Sequence, residues 1–467
     1  MEIKQRNHFL IIRIIFIGWI CLTPYIVLAE LPTLGDPTIK YFSSQQEAAL
    51  GKAFYTSLRE NLNIINDLQI DYYLSDLANR LVSHSDAAGN HFKFFMVESN
   101  VINAFAGPHG YIGVNSGIMM EAKNESQFAG VLAHEISHVS QRHLARAFSQ
   151  SGTNAAASFA TLLAAILIST QDPAAGQAAL MAGIAGAQQA SINFTRHNEY
   201  EADRIGIDLL ANAGINPEGM VGFFEILLSR GDGLNIEYLR THPLNTNRVA
   251  EAKDRVKAKY SALPNDSIDY KFCKARLEVL TNNTIDSYIN QADTDDDVLR
   301  YRHAIALIKD DQASKAIKPL ESLSRTNTHP WIKLALAEAL HKNNQIDEAK
   351  STLKDLTQYY PDYLPVTLAY AKILIEHNQP QLSISLLLRQ LQTNDSAIIH
   401  KTIAQAYYVN GQISAALEST GDQYELEGYT ELAIQQYDNA LQQPSLNPAA
   451  KKRLQTKKAA LKPLEHE

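Results

Sequence analysis

Residues 134 to 138 read His134-Glu135-Ile136-Ser137-His138, the HExxH pattern within a segment of helical periodicity. Histidines four residues apart lie on one face of a helix, one turn from each other, so both imidazoles can reach one tetrahedral zinc ion. Glu135 follows the first histidine, where its carboxylate can take a proton from water at the metal without binding the metal itself. The pentapeptide alone also fits two solvated histidines on a polar helix, so the surrounding sequence decides its meaning.

A catalytic zinc site needs a third protein ligand and one open position. A metzincin would place a histidine six residues after His138, but position 144 is leucine, and position 141 is glutamine where that class has glycine. His143 lies one residue too early to serve as that ligand. The sequence therefore excludes a metzincin site.

The best candidates for the third ligand are the acids of residues 199–203. Glu199 and Asp203 are four residues apart on one helix face, so one carboxylate can bind zinc while the other accepts a hydrogen bond from a ligand. Glu201 points roughly 160° away from Asp203 and is predicted to be solvated. Taken alone, the three acids also fit a solvated helix face. Their position after HExxH favours the metal site.

The first 29 residues differ from the rest of the 467-residue chain. Lys4, Arg6 and Arg13 precede an apolar run that extends to Ala29, a pattern typical of a secretory signal peptide. An uncleaved N-terminal anchor is the alternative, which the short apolar run and Pro24 disfavour.

The acidic balance of the chain excludes one class of partner. Residues 1–29 hold three basic residues and one acidic residue, so the remainder has 39 Lys and Arg against 49 Asp and Glu, a net charge of −10. That balance argues against a nucleic-acid partner. Cys273 is the only cysteine of this remainder, which excludes an intrachain disulfide.

A strand-rich region precedes the HExxH segment. Residues 91–98 form a strand-like run, and the runs 103–106 and 111–114 are separated by residues 107–110, Gly-Pro-His-Gly, a turn sequence. The pattern predicts a β-hairpin or a small sheet. Residues 125–148 are predicted as one helix that carries the HExxH pattern.

Residues 147–195 form a nearly uncharged stretch, with Asp172 as its one charged residue. Its apolar runs, 155–168 and 174–190, are shorter than the ~20 residues that a membrane span requires. Three interpretations remain open: a buried helical hairpin, a mobile apolar flap over the active site, or an element in peripheral contact with a membrane.

The C-terminal part repeats with a period near 34 residues, with small residues where two helices cross and Asn or Gly at the turns. This pattern is typical of tetratricopeptide repeats, and an unrelated helical bundle is the alternative. From Tyr424 the sequence predicts an irregular terminal repeat or cap. The recurring small residues are Ala304, Ala316, Ala337, Ala349, Ala371, Ser383, Ala404 and Ala416.

Residues 133–143, with Glu199 and Asp203 downstream and residues 103–106 upstream, resemble the gluzincin metallopeptidase family that contains CAAX prenyl proteases and membrane heat-shock proteases. The resemblance covers nearly the whole chain after residue 29. It implies a peptidase domain with a small sheet and a helical surround.

The resemblance also implies the roles of individual residues. His134, His138 and Glu199 would bind one Zn²⁺ per chain, and Glu135 would be the general base. Asp203 corresponds to an acid with a catalytic role, either as proton donor or as hydrogen-bond partner of a zinc ligand. Its position one turn from Glu199 favours the second role.

Two further elements follow from the same resemblance. The strand at Asn103, Ala104 and Phe105 would hold an extended substrate by main-chain pairing. His242, which Pro243 follows, could fill the open position of the metal and displace the nucleophilic water, which would make the enzyme latent. The alternative is a loop histidine held rigid by Pro243.

The sequence thus predicts a mostly helical α+β protein. Its predicted parts are a signal peptide at 1–29, a zinc metallopeptidase domain at 43–262, a linker region at 263–296 and a tetratricopeptide-repeat solenoid at 297–460.

Periplasmic gluzincins with such repeats imply a zinc endopeptidase of the periplasm. Its substrates would be unfolded or misassembled outer-membrane proteins, and its partners the β-barrel assembly and lipopolysaccharide-export machinery. The alternative is a non-proteolytic chaperone or adaptor that acts through its repeats, with a latent zinc site. Glu135 favours the enzyme because structural zinc sites use four protein ligands and need no base.

Overall fold

The structure is a computed structural model that describes residues 44–150, 189–230, 236–260, 263, 266–291, 294–444 and 446–461. The predicted signal peptide, residues 1–29, lies outside the described residues. So does most of the apolar stretch 147–195. Among the helices of the described ranges, none combines the length and the apolar composition of a membrane span.

The N-terminal part consists of helices packed around a small sheet. They share a core of buried apolar side chains that includes the HExxH helix. The helices are α1 (Ser44–Asn61), α2 (Leu68–Val82), α3 (Ser116–Glu121), α4 (Glu125–Ser140), α5 (His143–Gln150), α6 (Gln189–Asn212), α7 (Glu218–Ser229), α8 (Glu237–Thr241) and α9 (Thr246–Lys259).

The sheet has three strands, β1 (Lys93–Val97), β2 (Ala104–Ala106) and β3 (Tyr111–Asn115), in the order β1-β3-β2. Strand β1 runs parallel to β3, and β2 runs antiparallel to it. The turn between β2 and β3 needs Gly110, which has φ +76° and where a Cβ would lie 2.2 Å from a main-chain oxygen. The predicted small sheet with a hairpin is confirmed, and β2 lies at one edge of it.

Helix α4 lies in the core because glycines let its neighbours approach closely. A Cβ at Gly130 would lie 2.8 Å from the Cα of Met220 in α7, and a Cβ at Gly206 of α6 would lie 3.2 Å from the carbonyl carbon of Ala133. Asn124 caps the helix, since its side chain accepts a hydrogen bond from a main-chain N–H of the first turn. The HExxH helix is therefore held against α6, which carries the predicted carboxylate ligands.

The predicted single helix at residues 125–148 is wrong, since the segment forms two helices. Helix α4 ends at Ser140 and α5 begins at His143. Arg142 between them has φ +52°, a conformation that an α-helix cannot contain. The resulting change of direction brings the ring of His143 to 2.8 Å from that of His138.

The stretch 263–296, predicted as a linker, contains α10 (Ile268–Thr281) and the short α11 (Asp286–Ile289). Tyr270 of α10 donates a hydrogen bond to a main-chain oxygen of the N-terminal part at 2.9 Å. The ring of Phe272 packs edge-on against Tyr301 of the repeat array. The linker prediction is therefore wrong for α10, because its apolar side chains are buried against both parts of the protein.

The C-terminal part is a stack of antiparallel helix pairs. The first helices of successive pairs begin 33 or 34 residues apart, and every small residue of the predicted repeat is buried. The tetratricopeptide solenoid is therefore confirmed. The helices are α12 (Asp297–Lys309), α13 (Ala313–Thr326), α14 (Pro330–Lys342), α15 (Ile346–Tyr359), α16 (Leu364–Glu376), α17 (Pro380–Gln390), α18 (Ala397–Val409), α19 (Ile413–Leu426), α20 (Thr430–Leu441) and α21 (Pro448–Leu461).

The turns inside the first four pairs share one backbone conformation. Asp311, Asn344, Asn378 and Gly411 have φ values of 56°, 61°, 54° and 75°. Asn, Asp and Gly adopt this left-handed conformation at the lowest cost, which explains their recurrence at the period of the repeat. Helix α20 begins in the same register, so the predicted terminal cap starts as a fifth repeat.

Candidate metal centre

The three predicted metal ligands converge on one point. His134 Nε2 lies 3.0 Å from His138 Nε2 and 3.3 Å from Glu199 Oε2. His138 Nε2 lies 3.4 Å from Glu199 Oε1. Ligand atoms around a tetrahedral zinc ion lie roughly 3.4 Å apart, because zinc bonds to nitrogen and oxygen are about 2.1 Å long. The donor set and its spacing therefore fit one such ion.

His242 completes a group of four possible ligands. Its Nδ1 lies 3.2 Å from His134 Nε2 and 3.1 Å from Glu199 Oε1. Helix α8 places it there, since the His242 N–H donates to the Tyr238 carbonyl at 2.8 Å and the two rings stack. The structure thus brings the predicted regulatory histidine to the fourth position around the metal point.

Glu135 is fully buried beside this group. Within the described part of the chain, neither of its carboxylate oxygens has a hydrogen-bond partner. The Nε2 atom of His242 lies 3.5 Å from Glu135 Oε1. A buried carboxylate without a partner is costly, so this position is suited to a group that arrives with the reaction, such as water.

Asp203 orients His134. His134 Nδ1 lies 3.0 Å from Asp203 Oδ1, so the proton of the neutral ring sits on Nδ1 when Nε2 faces a metal. Arg248 in turn donates from Nε and Nη2 to the two oxygens of Asp203, at 2.7 and 2.8 Å. Asp203 therefore contacts His134, a predicted ligand, and is not itself one of the four possible ligands.

Arg248 connects the metal centre with the segment that carries His242. Its Nη1 donates to the Pro243 carbonyl at 2.6 Å and lies 3.0 Å from Glu199 Oε2. Burial alone would lower the pKa of Arg248, but Asp203 and Glu199 raise it, so the guanidinium stays charged. Nothing in the local sequence shows that α9 packs beside α6, so these contacts of Arg248 could not be derived from the sequence.

A series of hydrogen bonds begins at His138. When its Nε2 faces a metal, its Nδ1–H donates to His143 Nδ1 at 2.8 Å, and His143 Nε2–H donates to Glu201 Oε2 at 3.0 Å. Arg146 also donates to Glu201 at 2.8 Å. The prediction that Glu201 is solvated is therefore wrong, because the break after α4 turns α5 back towards α6.

The electrostatics of the centre favour charged carboxylates. Burial would lower the pKa of His134, but Asp203 and Glu199 raise it to about 9. Burial lowers the pKa of His138 to about 3. Burial would raise the pKa of Glu199, but the neighbouring imidazoles, with His242 foremost, hold it well below its usual value. An entering metal ion must therefore displace a proton from His134.

The predicted substrate strand lies at the free edge of the sheet. The Asn103 carbonyl accepts a hydrogen bond from the Asn115 N–H at 3.0 Å, so the main chain of Asn103 faces β3. Paired and unpaired residues alternate along an antiparallel strand, so Ala104 and Ala106 direct their main-chain groups outward.

Phe105 anchors this edge strand. Its ring packs at 6.1 Å from Phe54 and 6.0 Å from Phe95, measured between ring centroids. The carbonyl of Ile102, just before the strand, accepts a hydrogen bond from the Tyr238 N–H at 3.1 Å. The edge strand and helix α8, which His242 directly follows, are thus held together.

These side chains have the donor set of a metallopeptidase centre: the two histidines of an HExxH helix and a distal glutamate could hold one metal ion, with a buried carboxylate beside them. Two family models match the chain, peptidase family M48 at residues 69–256 and the tetratricopeptide repeat at residues 307–373.

Curated relatives extend this result to most of the chain. The β-barrel assembly-enhancing protease of Escherichia coli strain K12 is 32% identical over 430 residues, which cover 89% of this chain and 88% of the relative. A putative β-barrel assembly-enhancing protease of Vibrio cholerae is 38% identical over 250 residues, covering 53% and 52%. The metalloprotease YcaL of Escherichia coli is 31% identical over 185 residues, covering 39% and 68%. The chain belongs to the family of the β-barrel assembly-enhancing proteases.

Proposed function

We propose that this metallopeptidase is a zinc endopeptidase of the periplasm that acts in the quality control and assembly of outer-membrane β-barrel proteins. The observation that carries the proposal is the fully buried carboxylate of Glu135, which has no hydrogen-bond partner in the described part of the chain and lies beside the four possible ligands. A structural metal site has no use for such a group.

In this proposal His134, His138 and Glu199 hold the zinc ion. When bound, the ion would supply Lewis acidity, which lowers the pKa of water and polarises a peptide carbonyl. Glu135 accepts the proton of the attacking water at a carboxylate oxygen and passes it to the leaving amine. Asp203 keeps the proton of His134 on Nδ1, which leaves Nε2 free to bind.

We further propose that an extended substrate pairs with the outer edge of β2. The strand predicted from Asn103, Ala104 and Phe105 directs main-chain groups outward at Ala104 and Ala106; Ala106 is partly exposed, whereas Ala104 is fully buried. Main-chain pairing accepts many sequences, which suits an enzyme that acts on unfolded chains.

His242 is proposed to keep the enzyme latent. Its Nδ1 lies within 3.2 Å of two predicted ligands, so it fills the position that the attacking water needs. The His242→Ala variant should therefore cleave an unfolded substrate several-fold faster than the wild type, with unchanged zinc content. Equal or slower cleavage by a folded, zinc-loaded His242→Ala protein would contradict the latency.

The repeats are proposed to bind proteins, including the β-barrel assembly and lipopolysaccharide-export machinery. Their solenoid exposes apolar side chains beside a cavity of about 600 Å³, with Tyr408 68% and Val409 47% exposed. This exposed surface also favours the second candidate function, a chaperone or adaptor that acts through the repeats without proteolysis.

One variant tests the enzyme and separates it from the chaperone. Glu135→Gln should keep zinc but lose cleavage of an unfolded outer-membrane protein by roughly a thousandfold or more, because the proton acceptor is gone. Full activity in this variant would refute the mechanism. Rescue of outer-membrane assembly by the Glu135→Gln chain in a deletion strain would favour the chaperone.

The inactive Glu135→Gln protein also tests substrate pairing at β2, because it can bind a substrate without cleaving it. Ala106→Pro in the Glu135→Gln background removes an outward N–H and should weaken the binding of an unfolded substrate about tenfold, roughly the value of one or two hydrogen bonds. Ala106→Ser keeps that N–H and is the matched control. Equal affinities of the two variants would argue against pairing at β2.

A further inference from the structure

A second cluster of metal-ligating side chains lies in the repeat array. His341 belongs to the last turn of α14, while Glu376 ends α16 and His377 follows it. His341 Nε2 lies 3.1 Å from Glu376 Oε2, and one ligand atom from each of the three residues lies within 4.8 Å of the others. Two successive repeats thus contribute to the cluster.

The chemistry of the cluster suits a divalent transition metal. Two imidazoles and a carboxylate are ligands that Zn²⁺, Cu²⁺ and Ni²⁺ accept, whereas Mg²⁺ and Ca²⁺ prefer oxygen alone. The side chain of Glu376 is 54% exposed, so its carboxylate is free to adjust its position to an ion.

His377 provides an independent observation. Its Nε2 is buried from solvent and, within the described ranges, has no hydrogen-bond partner. Its ring meets that of His341 edge-on, with centroids 5.8 Å apart. A buried ring nitrogen without a partner is costly in a purely structural residue, and a bound ion would satisfy it.

The cluster borders a cavity between the array and the N-terminal part. The cavity has a volume of about 320 Å³ and is lined by His341, Glu376, Glu338, Asp67 and Arg276, among others. Arg276 is paired with both Asp67 and Glu338, at 2.8 and 3.3 Å. Asp67 and Glu338 are thereby neutralised in part by Arg276, whereas Glu376 at the rim contacts His341.

We propose that His341, Glu376 and His377 form a second metal site, which binds Zn²⁺ or a similar divalent transition metal and fastens the second repeat to the third. An ion held by three protein ligands keeps positions open for water or for a group in the cavity. The site is partly exposed, and its metal exchanges more readily than the metal of the buried centre.

Zinc stoichiometry of the full-length chain tests this site. Wild-type protein is dialysed against buffered free Zn²⁺ and its metal content is measured by mass spectrometry. The wild type should bind two ions per chain, and the double variant His341→Ala/His377→Ala should bind one. His84→Ala, which removes an exposed imidazole outside both clusters, should still bind two.

Two further variants keep the test decisive. His134→Ala/His138→Ala should retain one ion, so failure at the catalytic centre and failure at the second site are distinguishable. Glu376→Gln preserves the exposed surface and should weaken the second ion about tenfold or more, since even lost partners of ligands cost that much at protein metal sites. The proposal would be overturned if the wild type and the His341→Ala/His377→Ala variant bound the same number of ions, or if the His134→Ala/His138→Ala variant bound none.

Discussion

The metal centre and the repeat array are built on opposite physical principles. The centre buries charged and polar side chains from α4, α6 and α9 together with His242 after α8, and all of them except Glu135 contact specific polar neighbours at short distance. The array buries small and apolar side chains at a fixed period and keeps most of its ion pairs in contact with water. The buried polar residues of the centre are His134, Glu135, Glu199, Asp203, His242 and Arg248.

This difference determines how each region responds to substitution. A buried charge that loses its partner retains its full desolvation cost, so effects in the centre are large and specific to one pair. When a half-exposed ion pair is broken, water solvates the charge that remains. Effects in the array are therefore small and local.

The largest effect is expected at Asp203. Asp203→Asn keeps an amide oxygen that can face His134 Nδ1 but removes the negative charge that contacts both His134 and the buried Arg248. The free energy of unfolding should fall by about 3 kcal/mol, the lower end for breaking a buried ion pair, because Arg248 keeps its contact with Glu199. Zinc affinity should fall by roughly 10- to 100-fold. Urea denaturation and chelator competition measure the two quantities.

The matched control is a charge pair at the surface. Arg204 and Glu251 lie 2.6 Å apart, with side chains 50% and 43% exposed. Glu251→Gln should change the free energy of unfolding by less than about 1 kcal/mol and leave zinc affinity unchanged. Similar losses in Asp203→Asn and Glu251→Gln would remove the contrast between buried and exposed pairs.

A smaller effect is expected at Glu201, which ends the series of hydrogen bonds that begins at His138. Glu201→Gln keeps a side-chain acceptor for His143 but removes the charge that holds its tautomer. Zinc affinity should fall by roughly tenfold, the low end for a partner of a ligand, because Glu201 is 26% exposed. If zinc affinity in Glu201→Gln equals that of the wild type, the His143–Glu201 pair does not support His138.

The two regions also differ in how far the sequence predicts them. The array was predictable because each repeat carries the same local signals, small residues at crossings and Asn or Gly at positive φ. The HExxH helix and the carboxylates on α6 were predictable because helical spacing alone places their side chains on one face.

The remaining parts of the centre depend on contacts between distant segments. Arg248 joins Asp203 and Pro243, and Glu201 joins His143, through packing of α9 and α5 on α6 that no local pattern indicates. Helix α10 was predicted as linker for a similar reason, since its apolar residues face two partners and give no single amphipathic stripe.

The smallest effect is expected at the end of the array, where acid should release α21. Glu418 accepts hydrogen bonds from Arg453 Nε and Nη2, both at 2.6 Å, while Lys457 pairs with Glu418 and Asp422. Leu454 is the one buried residue of this helix. These ion pairs therefore contribute much of the interaction that holds α21 against α19.

The direction of the pH effect follows from the pKa of Glu418. Burial raises that pKa, but Arg453 and Lys457 lower it below the usual 4.5. Stability from a lowered carboxyl pKa is present above pH 4.5 and is lost as the pH falls through the folded-state value. Hydrogen-exchange protection of α21, measured relative to the intrinsic exchange rate at each pH, should therefore fall below pH 4.5, and Glu418→Gln should show lower protection already at pH 7. The cost should be about 1 kcal/mol because Arg453 is 55% exposed.

Since zinc affinity depends on none of these groups, it should stay constant in Glu418→Gln at pH 7; a loss there would mean that the array and the centre are coupled.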